Sequence, residues 1–222
     1  MRRRAFIAAA LALAGAALFG NGAYLYAKAE LAQVLLARAW SRTLAGERDV
    51  KPWSWADTWP VAKIEFPRQR ASAIVLAGAS GRTLAFGPGH VDGTAMPGEA
   101  GNCAISAHRD TQFAVLRQLE IGDEIVLSTR KGRFRYRVEA ARVVDRRDIS
   151  VLAASSESTI TLITCYPFDA VVPGGPLRYV VVATSFAPSP TGTPECARAR
   201  PGATTPPAPP HRDSRGGGTA AS

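Results

Sequence analysis

The stretch Thr159-Ile-Thr-Leu-Ile-Thr-Cys165-Tyr-Pro-Phe-Asp169 decides how this chain is read. Its first half alternates with the two-residue period of a buried strand, with Ile160 and Leu162 on one face and Thr161 and Ile163 on the other. Pro167 cannot donate to a ladder, so Cys165 stands where the strand ends and the chain turns. A thiol at a strand terminus, backed by a rigid core and open to a loop, is well placed as a nucleophile.

Working outward, Leu177-Arg-Tyr-Val-Val-Val-Ala183 is a second strong strand, reached through a turn-rich loop that carries Pro173, Gly174, Gly175 and Pro176. If the two strands pair antiparallel, Cys165 at the exit of one and Arg178 at the beginning of the other share one mouth. Upstream, Cys103-Ala-Ile-Ser-Ala-His108-Arg-Asp-Thr111 puts a histidine at the end of another short apolar strand. Acyl transfer from a peptide needs a nucleophile, a proton donor for the leaving amine and a group that holds the oxyanion. A thiolate is intrinsically nucleophilic. An imidazole shuttles protons near neutral pH. A guanidinium stays charged and serves as a donor but never as a base. Cys165, His108 and Arg178 suit these three roles in turn.

In their order and spacing these motifs resemble the sortases, the cysteine transpeptidases of bacterial surfaces. The resemblance rests on Thr161-Leu-Ile-Thr-Cys165, on Ser106-Ala-His108-Arg-Asp-Thr-Gln-Phe113, and on Gly175-Pro-Leu-Arg178-Tyr-Val180. Gly87-Pro-Gly-His90 and Pro97-Gly-Glu-Ala-Gly-Asn102 fit the same pattern, and it extends over residues 50 to 186. The run Lys51-Pro-Trp-Ser-Trp-Ala-Asp-Thr-Trp-Pro60 is similar to the sortases of Gram-negative bacteria, close to class D. Ala107 departs from the family, in which glycine often precedes the histidine. The resemblance implies the same three roles for Cys165, His108 and Arg178. It implies cleavage of a C-terminal sorting signal of the Leu-Pro-x-Thr-Gly kind between Thr and Gly. The acyl group would rest on Cys165 and pass to an amine on the cell envelope or on another protein, or to water. No cofactor is implied. A purely hydrolytic cysteine endopeptidase and a non-catalytic, membrane-tethered binding module are the alternatives.

His90, Thr164 and Asp169 are expected around the substrate. His90 follows Gly-Pro-Gly, so it is read as leaving a strand in a loop, where it lines the groove or simply packs. Asp169 orients His108 or Arg178, or caps the turn. Arg109 and Asp110 are expected to fix the loop that presents His108. No metal is expected, because no Cys-x-x-Cys or His-x-x-x-His spacing occurs.

The 222 residues suit one domain with appendages, expected at 1–28, 29–58, 59–186 and 187–222. Met1-Arg-Arg-Arg4 precedes an uncharged run from Ala5 to Ala27, long enough to span a bilayer as a helix. The arginines would stay cytoplasmic, giving a single-pass protein of the bacterial inner membrane with its catalytic part on the extracytoplasmic side. A cleaved signal peptide ending near Ala27-Lys-Ala29, or a twin-arginine signal at Arg3-Arg4, is the alternative. Residues 29–58 are read as a juxtamembrane stalk helix (Glu30 to Leu44, with Leu31, Val34, Leu35 and Ala39 at helical spacing) and a Trp-rich linker. That linker is a brace on the barrel or a membrane-interface belt.

From residue 59 to 186 short strands dominate: Val61–Phe66, Ser72–Ala77, Thr83–Phe86, Glu124–Ser128, Phe134–Val144, Thr159–Thr164 and Arg178–Phe186, besides the one before His108. Phe113–Leu119 makes one helical turn. An all-β fold follows, a closed or nearly closed barrel of about eight strands with short helices, of the sortase type if the resemblance holds. The last segment, 187–222, is rich in Pro, Gly, Thr and Ala and is expected to be disordered.

The net charge of +9 invites a nucleic-acid partner, but the basic residues are dispersed, and none is expected. The densest cluster, Arg130 to Arg137, reads as a solvated strand face, with contact to anionic lipid or wall polymer as the functional alternative. The three cysteines give no paired framework. Cys103 is expected to be a buried hydrophobe, and Cys196 falls in the tail.

Overall fold

The computed structural model describes residues 2–172 and 174–186; the expected disordered tail and Cys196 lie outside the described residues. Eight strands carry the fold: β1 (Pro60–Phe66), β2 (Ala71–Leu76), β3 (Gly89–His90), β4 (Asn102–Ser106), β5 (Glu124–Thr129), β6 (Gly132–Asp145), β7 (Thr159–Tyr166) and β8 (Leu177–Ser185). They close into one barrel in the order β1-β2-β3-β4-β7-β8-β6-β5. The expected closed β-barrel is therefore observed.

Strand periodicity fills the interior. In β1 burial alternates without a break, so Ala62, Ile64 and Phe66 face inward. Ile105, Leu127, Tyr136, Ile160, Leu162 and Val181 meet them from the other strands, and Phe113 and Leu116 cap the same cluster. Leu116 belongs to a 3-10 turn at Ala114–Gln118, where one helical turn was expected. Leu162 and Phe113 are fully buried, and each is worth roughly 1.5–3 kcal/mol of transfer free energy.

Two local readings are corrected. Thr83–Phe86 is not a strand. Residues Gly81–Leu84 form a short helix, α2, because the Ser80 hydroxyl accepts from the Thr83 amide at 3.2 Å and caps the turn. The strand next to β2 is instead β3, which contains His90. It pairs parallel to β2 through Leu76 and Gly89, so close that a Cβ on Gly89 would collide with the carbonyl of Gly78.

Ahead of the barrel, α1 (Arg2–Leu44) runs as one unbroken helix across residue 28. It stops where Gly46 adopts a φ of +107° and donates to the carbonyl of Thr43 at 3.1 Å. Among the described residues no helix is long and apolar enough to cross a membrane. Alanine and glycine, only weakly apolar, fill much of the uncharged run. The face that docks on the barrel also differs from expectation. Of the expected stripe Leu31 and Val34 are exposed, Leu35 is half-buried and Ala39 is buried, while Ala32, Leu36, Trp40 and Thr43 complete the buried face. Gln33 Nε2 reinforces this contact by donating to the carbonyl of Phe86 at 3.0 Å.

The Trp-rich linker braces the barrel. Trp53 meets Phe86 edge-on at 4.7 Å, Thr58 Oγ1 donates to the carbonyl of Ala77 at 2.7 Å, and Ala77 N–H donates back to Trp59. Trp55 alone of the linker tryptophans stays mostly exposed. The basic cluster is matched by acids: Arg133 donates to Glu65, Arg135 to Glu124 and Lys131 to Glu99, while Arg137 lies over the ring of Phe186. That is the solvated, ion-paired strand face.

Candidate active site

β7 lies between β4 and β8, so the ends of three neighbouring strands meet at one rim. β7 and β8 pair antiparallel with Cys165 directly opposite Arg178. Directly opposed residues of a ladder point to the same face, so sulfur and guanidinium share one side of the sheet. β4 runs parallel to β7 with Ser106 level with Ile163, and Ala107 N–H continues the ladder by donating to the Ile163 carbonyl at 3.2 Å. The antiparallel pairing that sets Cys165 opposite Arg178 is the one expected, and His108 follows two residues after the last ladder position of β4, as Cys165 follows two residues after Ile163.

The side chains use the outer face of the barrel. Ile160 and Leu162 point into the core, and the alternation turns Ile163 and Cys165 outward. Ser106 follows the same parity on β4, as do Arg178 and Val180 on β8, and His108 lies two residues past Ser106. Cys165 is half-buried and free, and His108 is exposed. A groove of about 220 Å³ leads along this face. Its floor is Ser106, Ile163 and Val180, Arg178 lies along it, and Ile149 and Leu152 of a 3-10 turn (Ile149–Leu152) form a wall.

The wall is held from below by a residue whose role the sequence did not disclose. Asn102, buried at the start of β4, donates through Nδ2 to the carbonyls of Val151 and Ala153, both at 3.0 Å, and accepts from Thr161 Oγ1 at 2.7 Å. The signal available was only an amide among apolar residues.

Arg178 is anchored by its own turn. Nη1 donates to the carbonyls of Gly175 and Leu177, each at 2.8 Å, and among the described residues Nε and Nη2 carry no hydrogen bond. A charged donor pair is thus left over at the rim. The segment after Cys165 is braced by aromatic rings: Phe168 meets Tyr179 at 5.2 Å and Tyr166 at 6.2 Å, and Phe168 packs on the core. Burial, with Tyr166 adding to it, pushes the phenol of Tyr179 above its ordinary pKa.

Arg109 ties the two loops of the rim together, since its Nη2 donates to the carbonyl of Ala170 at 2.6 Å. It thus fixes the loop after His108, as expected. Asp169 is exposed in the turn after Pro167.

Two expected substrate contacts have other surroundings. His90 is 4 % exposed, with Nε2 2.9 Å from the carbonyl of Ala95 and 3.2 Å from Thr94 Oγ1. It sits in β3 and holds the loop that follows, away from the groove, because strand pairing with β4 turns it inside. Thr164 is buried, and its hydroxyl donates to the carbonyl of Ala107 at 2.7 Å. The even positions of β7 face inward, so Thr164 fastens β4 to β7 just before His108 and does not face the groove. Among the described residues no three His, Cys, Asp or Glu side chains converge as a metal site.

Comparison with known proteins agrees with this geometry. A family model for the sortase domain matches residues 64–186, more than half of the chain. Sortase D of Bacillus subtilis (strain 168) is 34% identical over 119 residues, which is 53% of this chain and 60% of that protein. The chain thus spans less than two thirds of this relative's length. Among solved structures, a Clostridium perfringens Sortase D5 transpeptidase is 30% identical, with a TM-score of 0.53 over 58% of this chain and 80% of that one. Sortase A from Corynebacterium diphtheriae is 25% identical, with a TM-score of 0.56 over 72% of this chain and 86% of that one.

Proposed function

Because this chain belongs to the sortase family and resembles its class D members in sequence, we propose that it is a membrane-anchored cysteine transpeptidase acting on a C-terminal sorting signal. The observation that carries the reading is the opposition of Cys165 and Arg178 across β7 and β8, with His108 two residues past the end of the neighbouring β4.

The Cys165 thiolate attacks the carbonyl between Thr and Gly of a Leu-Pro-x-Thr-Gly-like signal. As the tetrahedral intermediate forms, its oxyanion takes the unoccupied N–H donors of Arg178, which gain strength in a partly desolvated groove. His108, protonated, gives its proton to the leaving glycine amine as the C–N bond breaks, and a thioester on Cys165 remains. An amine on the envelope or on another protein then attacks the thioester. His108 accepts the proton, the amide forms and the thiolate is restored. Neither half-reaction needs an electron carrier. Thr164 and Asn102 contribute by holding the strand before His108 and the groove wall.

Anchoring is assigned to the first part of α1. Arg2, Arg3 and Arg4 precede an uncharged run, and Ile7, Leu11, Leu13, Leu18 and Phe19 are exposed on the helix. The basic end would stay on the cytoplasmic side of the inner membrane and the barrel outside it. Protease protection of the barrel in spheroplasts, set against its digestion, tests this orientation.

The reaction is tested by mass spectrometry of a signal peptide incubated with the full chain, with and without a glycine-based amine. Transpeptidation predicts a ligated product that appears only with the amine. Cleavage to the free acid in both samples would make the protein a hydrolytic endopeptidase. An intact peptide in both would leave a non-catalytic binding barrel.

A further inference from the structure

We propose that Arg109 is a positioning residue that holds His108 beside Cys165, an inference that rests on the transpeptidase reading above. His108 is exposed and stands past the last ladder residue of β4, so its own packing does not hold it beside the thiol. Its carbonyl accepts from the N–H of the buried Phe113 at 3.0 Å, and further restraint comes from both neighbours. On one side the carbonyl of Ala107 accepts from Thr164, the residue before Cys165. On the other, the guanidinium of Arg109 reaches across the rim to the carbonyl of Ala170, five positions beyond Cys165. Ala170 belongs to a turn of its own, with its N–H bonded to the carbonyl of Pro167, and the intervening Phe168 packs on the core. The two bonds therefore bracket His108 and refer it to the two segments that flank the nucleophile.

The environment of Arg109 supports this use. Its Nη1 is buried and, among the described residues, has no hydrogen-bond partner. The half-buried guanidinium is held between the two loops, with Nη2 spanning the gap. Planarity suits that span, because one rigid group sets both reach and direction.

Removing the clamp leaves the reacting groups intact and loosens their spacing, and displacement by about 1 Å costs on the order of 100-fold in rate. In Arg109→Met, kcat is expected to fall tenfold to 100-fold, roughly, with KM within about twofold. In a His108→Ala background the same substitution is expected to add little, because Arg109 acts through His108. An equal loss in both backgrounds would show a general structural role and overturn the proposal.

Should Arg109→Met not fold, Arg109→Lys carries the same cycle, with a loss of about threefold expected beside His108 and none without it. Amide exchange supplies a readout that does not depend on turnover. Segments 107–113 and 167–172 of the full chain are both expected to lose protection in the variant, and unchanged protection in both overturns the clamp. A wild-type chain that forms no acyl-enzyme would defeat the transpeptidase reading, and the exchange result would then decide the clamp alone.

Discussion

Cys103 lies near the start of β4 and Cys165 near the end of β7, on two strands that run side by side in parallel. Both are free thiols in apolar strands. Cys103 is 1 % exposed, faces the core beside Tyr136, and burial pushes its thiol up to about 12. Cys165 occupies the opposite parity, is half-buried, and has a guanidinium across the ladder. Strand composition is nearly the same for the two. Side-chain parity and closeness to the rim make one thiol an inert part of the core and leave the other available as a nucleophile.

Arg178→Gln strikes only one side of this contrast. It removes the charged donor opposite Cys165, and kcat for acyl transfer should fall about 100-fold to 1000-fold, by analogy with loss of one oxyanion donor. The thermal midpoint should hardly move, since among the described residues the side chain hydrogen-bonds only within its own turn. An unchanged kcat would break the link between the ladder partner and the thiol. Cys103→Ser strikes the other side. It places a hydroxyl in the apolar core and should cost about 1–3 kcal/mol in denaturant unfolding, while the folded enzyme keeps its kcat. Lost activity at full stability would contradict the inert assignment.

The smallest effect concerns an ion pair between β5 and β6. Arg135 holds the Glu124 carboxyl below the usual carboxylate range, against an opposing push from partial burial. A lowered carboxylate pKa stabilises the fold above its unfolded value, near 4.3, and the contribution is lost as pH falls through the folded value. Glu124→Gln should therefore lower stability at pH 7 by less than about 1 kcal/mol, since the pair is exposed, and the difference should shrink as pH falls below about 4.3 and be lost once the folded carboxyl is protonated. A deficit that persisted there would assign the effect to packing.

The rim was legible because its signals are local. Pro167 ends one strand, Gly174 to Pro176 introduce the next, and alternation sets which face each residue takes. Cys165 and Arg178 could be set opposite each other by counting from those points. The misread elements lack such signals. Thr83 to Phe86 suits a strand as well as a helix, and the Ser80 cap decides it. β3 is only two residues long, too short for any period, so His90 was read as a loop residue. In α1 apolar residues occur all round, and the docked stripe was chosen by the barrel's surface. Thr164 and Asn102 act through hydrogen bonds to residues 57, 49 and 51 positions away, which no short window contains.

The most direct measurement is to trap the acyl-enzyme. Full-length protein is mixed with a sorting-signal peptide in the absence of amine, quenched with acid, digested and mapped by mass spectrometry. An acyl adduct is expected on the Thr159–Asp169 segment at Cys165 that disappears when a glycine amine is added and is absent in Cys165→Ala. An adduct on Cys103 or Cys196, or one that survives in Cys165→Ala, would contradict that expectation.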